Sequence, residues 1–276
     1  MRIHILHDTV YSYDEPVVYS IQALRLRPLD MASQRIINWT VETPPFASVT
    51  DKRDVYGNVL QMLYIERPHQ EIHLRVTGEV ETFETHGIIA STHERFPARF
   101  FLRVSELTEP DEAIMALAQK AYAASDETPL DLAHSLMNHV RDALDYVVGE
   151  TDVTTSAAQA LQNGSGVCQD HAHVFISAAR YLGLPARYVS GYLMAEVDEV
   201  AATQGEAAHA WAEAFIEGLG WVGFDVANRI CPGVAHLRVA TGLDYLEAAP
   251  VRGLRRGGGR ENLDVRVRVA ETAGEQ

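Results

Sequence analysis

The chain has 276 residues, of which 47% are hydrophobic and 22% are charged, an ordinary composition for a protein that buries a core. Its formal net charge of −15 repels phosphate backbones, so we expect no nucleic-acid partner. The sequence contains no apolar run of about 20 residues, the length that crosses a membrane. Its first residues also lack the basic and apolar regions of a signal peptide. We therefore expect a cytoplasmic protein with no membrane partner.

Residues 1–85 have the pattern of short strands. Turn clusters such as Pro44-Pro45 separate runs that alternate or are rich in β-forming residues. These runs lie at residues 2–6, 36–41, 59–66 and 72–80. Short strands with frequent turns are typical of an antiparallel β-sandwich, which we predict as the N-terminal domain over residues 1–85. Residues 86–108 are interpreted as a linker.

From residue 109 the hydrophobic period becomes helical, and later it returns to that of strands. The sequence predicts helices at about residues 109–122, 130–146, 155–162 and 168–182. It then predicts strands at residues 186–194, 208–217, 221–225 and 263–269. The Arg/Gly-rich stretch at 252–260 is interpreted as a solvated loop. Residues 109–276 are therefore predicted to form a second domain with its helices segregated from an antiparallel sheet, and the fold class is α+β.

The two cysteines, Cys168 and Cys231, are not expected to pair, since nothing else in the sequence indicates an oxidising compartment. Cys168 follows Gly164-Ser165-Gly166-Val167 and stands in the first turn of a predicted helix. The unsatisfied N–H groups and the dipole of a helix N-terminus favour a thiolate, and they can also receive an oxyanion. We therefore expect Cys168 to be a nucleophile. Cys231 precedes Pro232 in a predicted loop and is interpreted as an incidental thiol.

A thiolate nucleophile works with a histidine that gives a proton to the leaving group, and a third residue orients that histidine. His209 lies on a predicted strand, and Asp225 ends the next one. The turn between them is centred near Leu219, about midway in sequence between His209 and Asp225. Because a hairpin brings its two strands side by side, His209 and Asp225 are expected to be neighbours. The sequence therefore predicts a Cys168–His209–Asp225 triad.

Each of these residues alone also has a structural interpretation. Free cysteines are commonly buried, strand histidines are commonly satisfied within a core, and aspartates are frequent in turns. Only the joint order of the three favours catalysis. Cys168 and His171 share a helix face and suggest zinc, but His173 points well away from both, and a metal would quench the thiolate. We predict no metal and no cofactor.

With these residues in view, the chain resembles the bacterial transglutaminase-like, putative cysteine protease family. The matching segments are GVCQDHAH (166–173), ARYVSGYL (186–193), HAWAEAFIEGLGWVGFD (209–225) and VRGLRRGGG (251–259). Residues 7–13, 24–28, 56–58 and 68–69 resemble that family's N-terminal region. The resemblance covers nearly the whole chain and implies a papain-like transglutaminase core that carries the triad. One departure is His171, where the family usually has an aromatic residue, and we expect it to change packing or local charge.

Two further site residues are candidates, and the first follows from the resemblance. Papain-like enzymes place a glutamine shortly before the cysteine, which makes Gln162 a candidate for stabilising the oxyanion. The backbone N–H of Cys168 is the other candidate. Trp211 is a candidate for the wall of the substrate cleft, with core packing as the alternative.

The activity implied is attack on an amide or peptide bond through a thioester intermediate. We expect water to resolve the thioester, which makes the protein a hydrolase, either a peptidase or an amidase. Resolution by an amine would make it a transglutaminase, and a binding module that keeps the fold without turnover is the third alternative. The expected partner is a peptide or protein amide substrate, and a homo-oligomer is left open.

Overall fold

The computed structural model describes residues 1–90, 95–126, 128–194 and 208–271. Its strands are β1 (Arg2–Leu24), β2 (Gln34–Glu42), β3 (Ser48–Arg53), β4 (Val59–Ile65), β5 (His69–Thr82), β6 (Ile88–Ile89), β7 (Asp145–Tyr146), β8 (Ser165–Gly166), β9 (Ala186–Leu193), β10 (Ala208–Ile216), β11 (Gly220–Phe224), β12 (His236–Gly242), β13 (Val251–Gly257) and β14 (Glu261–Glu271). Its helices are α1 (Glu112–Ala123), α2 (Pro129–Ala143), α3 (Ala157–Asn163), α4 (Cys168–Tyr181) and α5 (Tyr245–Ala248). None of the helices in these ranges is long and apolar enough to cross a membrane.

The long strand β1 organises an antiparallel sheet that contains β1–β5, β13 and β14, here called the β-domain sheet. The first half of β1 pairs with β5 and β14, and its second half pairs with β4 and β13. The register shifts between Ser12 and Val17, where the partners change. Side chains alternate between buried and exposed along β1, and those of both halves, such as Ile5 and Leu24, belong to one hydrophobic cluster. The two halves of β1 therefore share one hydrophobic core, to which Tyr192, Leu237 and Val239 from outside this sheet also contribute.

The last two strands of the chain join the β-domain sheet, although the predicted division assigned residues 109–276 to the second domain. β14 pairs with β1 from Ile3↔Glu271 to Tyr13↔Glu261. Residues 251–257 are strand β13 and not a solvated loop, and the glycines that follow turn the chain back with positive φ. The side chain of Arg255 fastens this turn by donating to the carbonyl oxygens of Gly257 and Gly259. An alternating run predicts a strand but not which sheet it joins, and for that reason the sequence misplaced these residues.

A second antiparallel sheet, here called the core sheet, has the strand order β12-β9-β10-β11-β6. Helix α4 packs on β10, whose Ala210, Ala212 and Ala214 lie in the same hydrophobic cluster as the helix. Small side chains on the strand let the helix approach the sheet closely. α1, α2 and α3 pack around α4. The described residues thus confirm the predicted α+β class, with an N-terminal antiparallel β domain followed by helices on an antiparallel sheet.

Part of the predicted linker, residues 86–108, is built into the core sheet. β6 pairs with β11 through Ile88↔Val222 and Ile89↔Trp221. The short 3-10 helix Ala98–Leu102 buries Phe101, whose ring packs edge-on against Trp221 at 5.0 Å between centroids. Two-residue strands and single helical turns carry too little periodicity to be predicted from sequence.

Side chains of the β domain satisfy the backbone at the outer edge of the core sheet. β12 is an edge strand, so part of its backbone lacks a strand partner. The Gln34 amide accepts from the N–H of Arg238 at 2.9 Å and donates to its carbonyl oxygen at 2.8 Å. The Asn58 amide forms the same pair of bonds with Thr241, at 2.9 and 2.7 Å. The β domain therefore seals this edge and fixes β12 in place.

A buried cluster of three charges links β9, β10 and β12. Glu213 is fully buried and accepts from Arg187 at 2.6 Å and from Arg238 at 2.7 Å. Burial alone would raise the pKa of Glu213, but the two guanidinium groups outweigh it and hold this pKa well below its ordinary value. The cation of Arg187 also lies over the Trp221 ring, 3.8 Å from its centroid.

Glu213→Gln is expected to destabilise the fold by about 3 kcal/mol or more, because it leaves two buried guanidinium groups without their counter-charge. The free energy of unfolding in urea, measured at neutral pH, tests this. Because the folded-state pKa of Glu213 is lowered, its contribution is present above the unfolded-state pKa and is lost as the pH falls through the folded-state pKa. The acid side of the stability profile should therefore be flatter in the variant. Equal stability of the variant and wild type would contradict the assignment. Glu106→Gln, at an exposed glutamate in the short 3-10 helix Glu106–Thr108, is the control and should match wild type.

Candidate active site

Cys168 is held at the start of α4 by a tight approach segment. Gly164 ends α3 with φ +70°, in the left-handed region. The Asp170 carboxylate accepts from the backbone N–H of Val167 and from the Thr151 hydroxyl, both at 2.7 Å. A Cβ on Gly166 would lie 2.6 Å from the Asp170 side chain, so only glycine fits there. The Gly-x-Gly-x-Cys-x-Asp pattern is thus explained by the cap that fixes the first turn of α4.

The position of Cys168 gives it access to solvent and to the open end of the helix. Its side chain is partly buried, and it is the first residue of α4. The N–H groups of a first helical turn have no intrahelical acceptors and carry the positive end of the helix dipole. A thiolate and an oxyanion are both stabilised at such a position.

The hairpin of β10 and β11 brings His209 to Asp225. The register pairs Ala212 with Phe224, which places Asp225 diagonally across from His209. Nε2 of His209 lies 2.8 Å from Oδ2 of Asp225, and both side chains are buried. The imidazole also makes a hydrogen bond with the Cys168 side chain. Because Nε2 faces Asp225, the nitrogen available to Cys168 is Nδ1. The three side chains predicted as a triad are therefore in contact, in the order Cys168–His209–Asp225.

Contacts with Asp225 and Cys168 favour the protonated form of His209. Burial alone would lower the pKa of His209, but its hydrogen bonds with Asp225 and Cys168 outweigh burial and raise this pKa to about 10. Burial alone would raise the pKa of Asp225, whereas its contacts with His209 and His236 hold it far below its ordinary value. The site therefore favours a buried imidazolium–carboxylate pair beside the sulfur.

A second histidine, His236, reaches the same carboxylate and was missed by the sequence analysis. Its Nε2 lies 3.0 Å from Oδ2 of Asp225, and its Nδ1 accepts from the backbone N–H of Gly233 at 3.3 Å. Asn228 donates to Oδ2 from its side chain at 2.8 Å and to Oδ1 from its backbone at 3.3 Å. The signal available in the sequence was a polar residue at the start of a strand-like run, which is too common to single out His236.

The other predicted site residues lie outside the contact triad. Gln162 is exposed near the end of α3, and no hydrogen bond within the described ranges links it to the triad. Trp211 packs against the rings of His209 and His236. Because it is only 1% exposed, it forms no wall of a substrate cleft. Its ring also fills the space above Gly191, where a Cβ would lie 2.7 Å from it.

The histidines of α4 have structural contacts. His171 lies 2.9 Å from the carbonyl oxygen of Val167 and 3.3 Å from that of Leu144, and it therefore ties the start of α4 to the end of α2. His173 is fully buried, accepts from the N–H of Tyr245 at 3.1 Å, and lies 5.0 Å from the Tyr188 ring. These contacts give His171 a structural role where α2 ends and α4 begins. Neither histidine joins Cys168 in a ligand cluster within the described residues.

One group of three side chains has the spacing of a metal site. The ligand atoms of His209, Asp225 and His236 lie within 4.8 Å of one another, and all three residues are buried. In the structure both Nε2 atoms face the same carboxylate oxygen as hydrogen-bond donors, so an ion would have to replace those protons. The hydrogen bonds account for the arrangement, and the expectation of a metal-free site stays a prediction.

His209 is expected to remain protonated through the range from about pH 6 to pH 8, in which an unperturbed histidine loses its proton. Asp225→Asn removes the carboxylate that stabilises the imidazolium, so the pH midpoint of the His209 titration should fall. Titration of the His209 ring protons by NMR in both proteins measures this difference. Asp142→Asn, which changes an aspartate exposed at the surface, is the matched control and should leave the midpoint unchanged. A midpoint that is the same in wild type and Asp225→Asn would contradict the ion pair.

Comparison with known proteins shows the family to which the chain belongs. Residues 116–226 match the model of the transglutaminase-like superfamily, and residues 3–81 match that of the bacterial transglutaminase-like N-terminal region. A Mycobacterium leprae protein, uncharacterized protein ML0607, is 30% identical over 99% of both chains. Uncharacterized protein Rv2569c of Mycobacterium tuberculosis is 26% identical over 92% of this chain and 87% of its own.

Among solved structures, a protein described as a putative cysteine protease from Cytophaga hutchinsonii superposes with a TM-score of 0.75. The superposition covers 100% of this chain and 92% of that one, at 21% sequence identity, and so it bears on the fold. The two matched regions together contain Cys168, His209 and Asp225 as well as strands β1–β5 of the β domain. The chain belongs to the transglutaminase-like superfamily and carries the bacterial transglutaminase-like N-terminal region.

Proposed function

We propose that this protein is a cysteine-nucleophile hydrolase of amide or peptide bonds, with Cys168, His209 and Asp225 as its catalytic triad. The observation that carries the proposal is the unbroken contact from the Cys168 side chain to the His209 imidazole and on to the Asp225 carboxylate. Packing alone does not require a partly buried thiol next to an imidazole whose other nitrogen is held by a carboxylate. Membership in the superfamily supports the same chemistry.

In the first half-reaction, the Cys168 thiolate attacks the carbonyl carbon of the amide, and a C–S bond forms. The carbonyl oxygen takes the negative charge, and the backbone N–H of Cys168 at the start of α4 stabilises it. Collapse of this intermediate breaks the C–N bond, and the His209 imidazolium gives its proton to the departing nitrogen. The products are a free amine and a thioester on Cys168.

In the second half-reaction, neutral His209 takes a proton from water as the water attacks the thioester. The C–S bond breaks, the carboxylic acid leaves, and the thiolate–imidazolium pair is restored. Asp225 keeps the imidazole oriented through both steps and stabilises its charged form. An amine that replaced water in this step would give a new amide, which is the transglutaminase reaction, so the acceptor alone separates the two activities.

The two cysteines of the chain allow the nucleophile to be tested without a known substrate. We expect iodoacetamide at about pH 7 to label Cys168 at least about tenfold faster than Cys231, because the thiolate is the reactive form and burial raises the pKa of Cys231. His209→Ala should slow the labelling of Cys168 and leave Cys231 unchanged. Mass spectrometry of the two cysteine peptides gives both rates from one sample.

His86→Ala, at an exposed histidine, is the matched control for this labelling and should have no effect on either cysteine. Labelling of Cys168 no faster than that of a model thiol would refute the proposed nucleophile and would favour a binding module that keeps the fold.

The reaction itself is tested by a screen of peptides and carboxamides, each incubated with and without an added primary amine. We expect the free acid as product in both conditions, with no product from Cys168→Ala and wild-type turnover in Cys231→Ala. Mass spectrometry of the products distinguishes the acid from the amine adduct. Accumulation of the adduct at the expense of the acid would overturn hydrolysis in favour of transglutamination.

A further inference from the structure

The Asp225 carboxylate is the meeting point of three donors from different parts of the chain. Oδ2 accepts from His209 at 2.8 Å, from His236 at 3.0 Å and from the Asn228 side chain at 2.8 Å. Asp225 is fully buried. A buried carboxylate can turn about its Cβ–Cγ bond unless donors fix both its position and its tilt, so the donors other than His209 determine where Oδ2 points.

The surroundings of His236 fix it as a hydrogen-bond donor to Asp225. Because its Nδ1 accepts from the N–H of Gly233, its proton is on Nε2, which faces the carboxylate. Its ring is 6% exposed and stands edge-on against Trp211, with 5.4 Å between centroids. The imidazole is therefore fixed in tautomer, in position and in tilt, as expected of a side chain whose task is to orient another.

The backbone that carries His236 is also fixed, and the β domain fixes it. Thr82 donates to the carbonyl oxygen of Val234 at 2.6 Å, just before His236. Gln34 holds both backbone groups of Arg238, just after it. The segment is thus fastened on both sides of His236 by side chains outside the core sheet.

We propose that His236 is a positioning residue that aims the Asp225 carboxylate at His209, and that the β domain serves the active site by holding the His236 segment in place. This inference rests on the proposed function of Cys168, His209 and Asp225. It assigns to the N-terminal domain a part in catalysis that requires no contact with substrate.

Substitution of His236 by glutamine or by asparagine distinguishes a role in positioning Asp225 from a role in packing alone. In His236→Gln the side-chain amide can accept from Gly233 and still reach Asp225 with an N–H donor, so labelling of Cys168 by iodoacetamide should stay within about threefold of wild type. In His236→Asn the shorter side chain cannot reach Asp225, and labelling should slow by about tenfold to a hundredfold, the range produced by small misplacements of reacting groups. His69→Gln, which changes a buried histidine within the β domain, is the control and should match wild type.

A measurement of the His236 tautomer tests the same inference without changing His236. Long-range proton–nitrogen NMR should show His236 as the tautomer protonated at Nε2, with a hydrogen-bonded Nε2 proton that disappears or shifts in Asp225→Asn. A tautomer protonated at Nδ1 would overturn the inference.

Equal labelling rates in His236→Asn and wild type, with reactive Cys168 in both, would overturn the role of His236 and leave the proposed function standing. Unreactive Cys168 in wild type would refute the proposed function, and the positioning role would be refuted with it.

Discussion

A single buried carboxylate, that of Asp225, is the constraint on which the site depends. Left alone at this depth it would be destabilised, since burying a charge without partners costs several kcal/mol. The structure compensates with donors from the β10–β11 hairpin, from the turn after β11 and from β12. Each donor fixes one element relative to the others. The contacts that compensate the charge of Asp225 therefore also align the triad.

Small residues in the core let α4 approach β10 and let the Asp170 side chain approach the backbone at Gly166. The alanines of β10 admit α4, and the glycine at 166 admits the carboxylate that caps the helix. Larger side chains at these positions would move the sulfur away from the imidazole. The sequence around the site is rich in small residues because the helix end, the strand and the cap must all meet within hydrogen-bond distance.

The sequence was sufficient for the parts of the site that are local. The spacing of glycines before Cys168 predicted a helix start, and the hairpin turn between β10 and β11 predicted that His209 and Asp225 would be neighbours. His236 could not be predicted in this way, because it reaches Asp225 through the pairing of β12 with β9 and through contacts with the β domain. The assignment of β13 and β14 failed for the same reason, since alternation predicts a strand and not its partner. Trp211, offered as a cleft residue, is buried because its ring fills the space left by Gly191.

The return of β13 and β14 to β1 makes the helices and the core sheet an insertion within the β domain. During synthesis, β1 leaves the ribosome before the inserted core, yet its neighbours β13 and β14 leave after it. Until then, one edge of β1 offers its backbone groups to any strand nearby. The β-domain sheet can therefore be completed only after the inserted core has been synthesised, although most of its strands precede that core in the sequence.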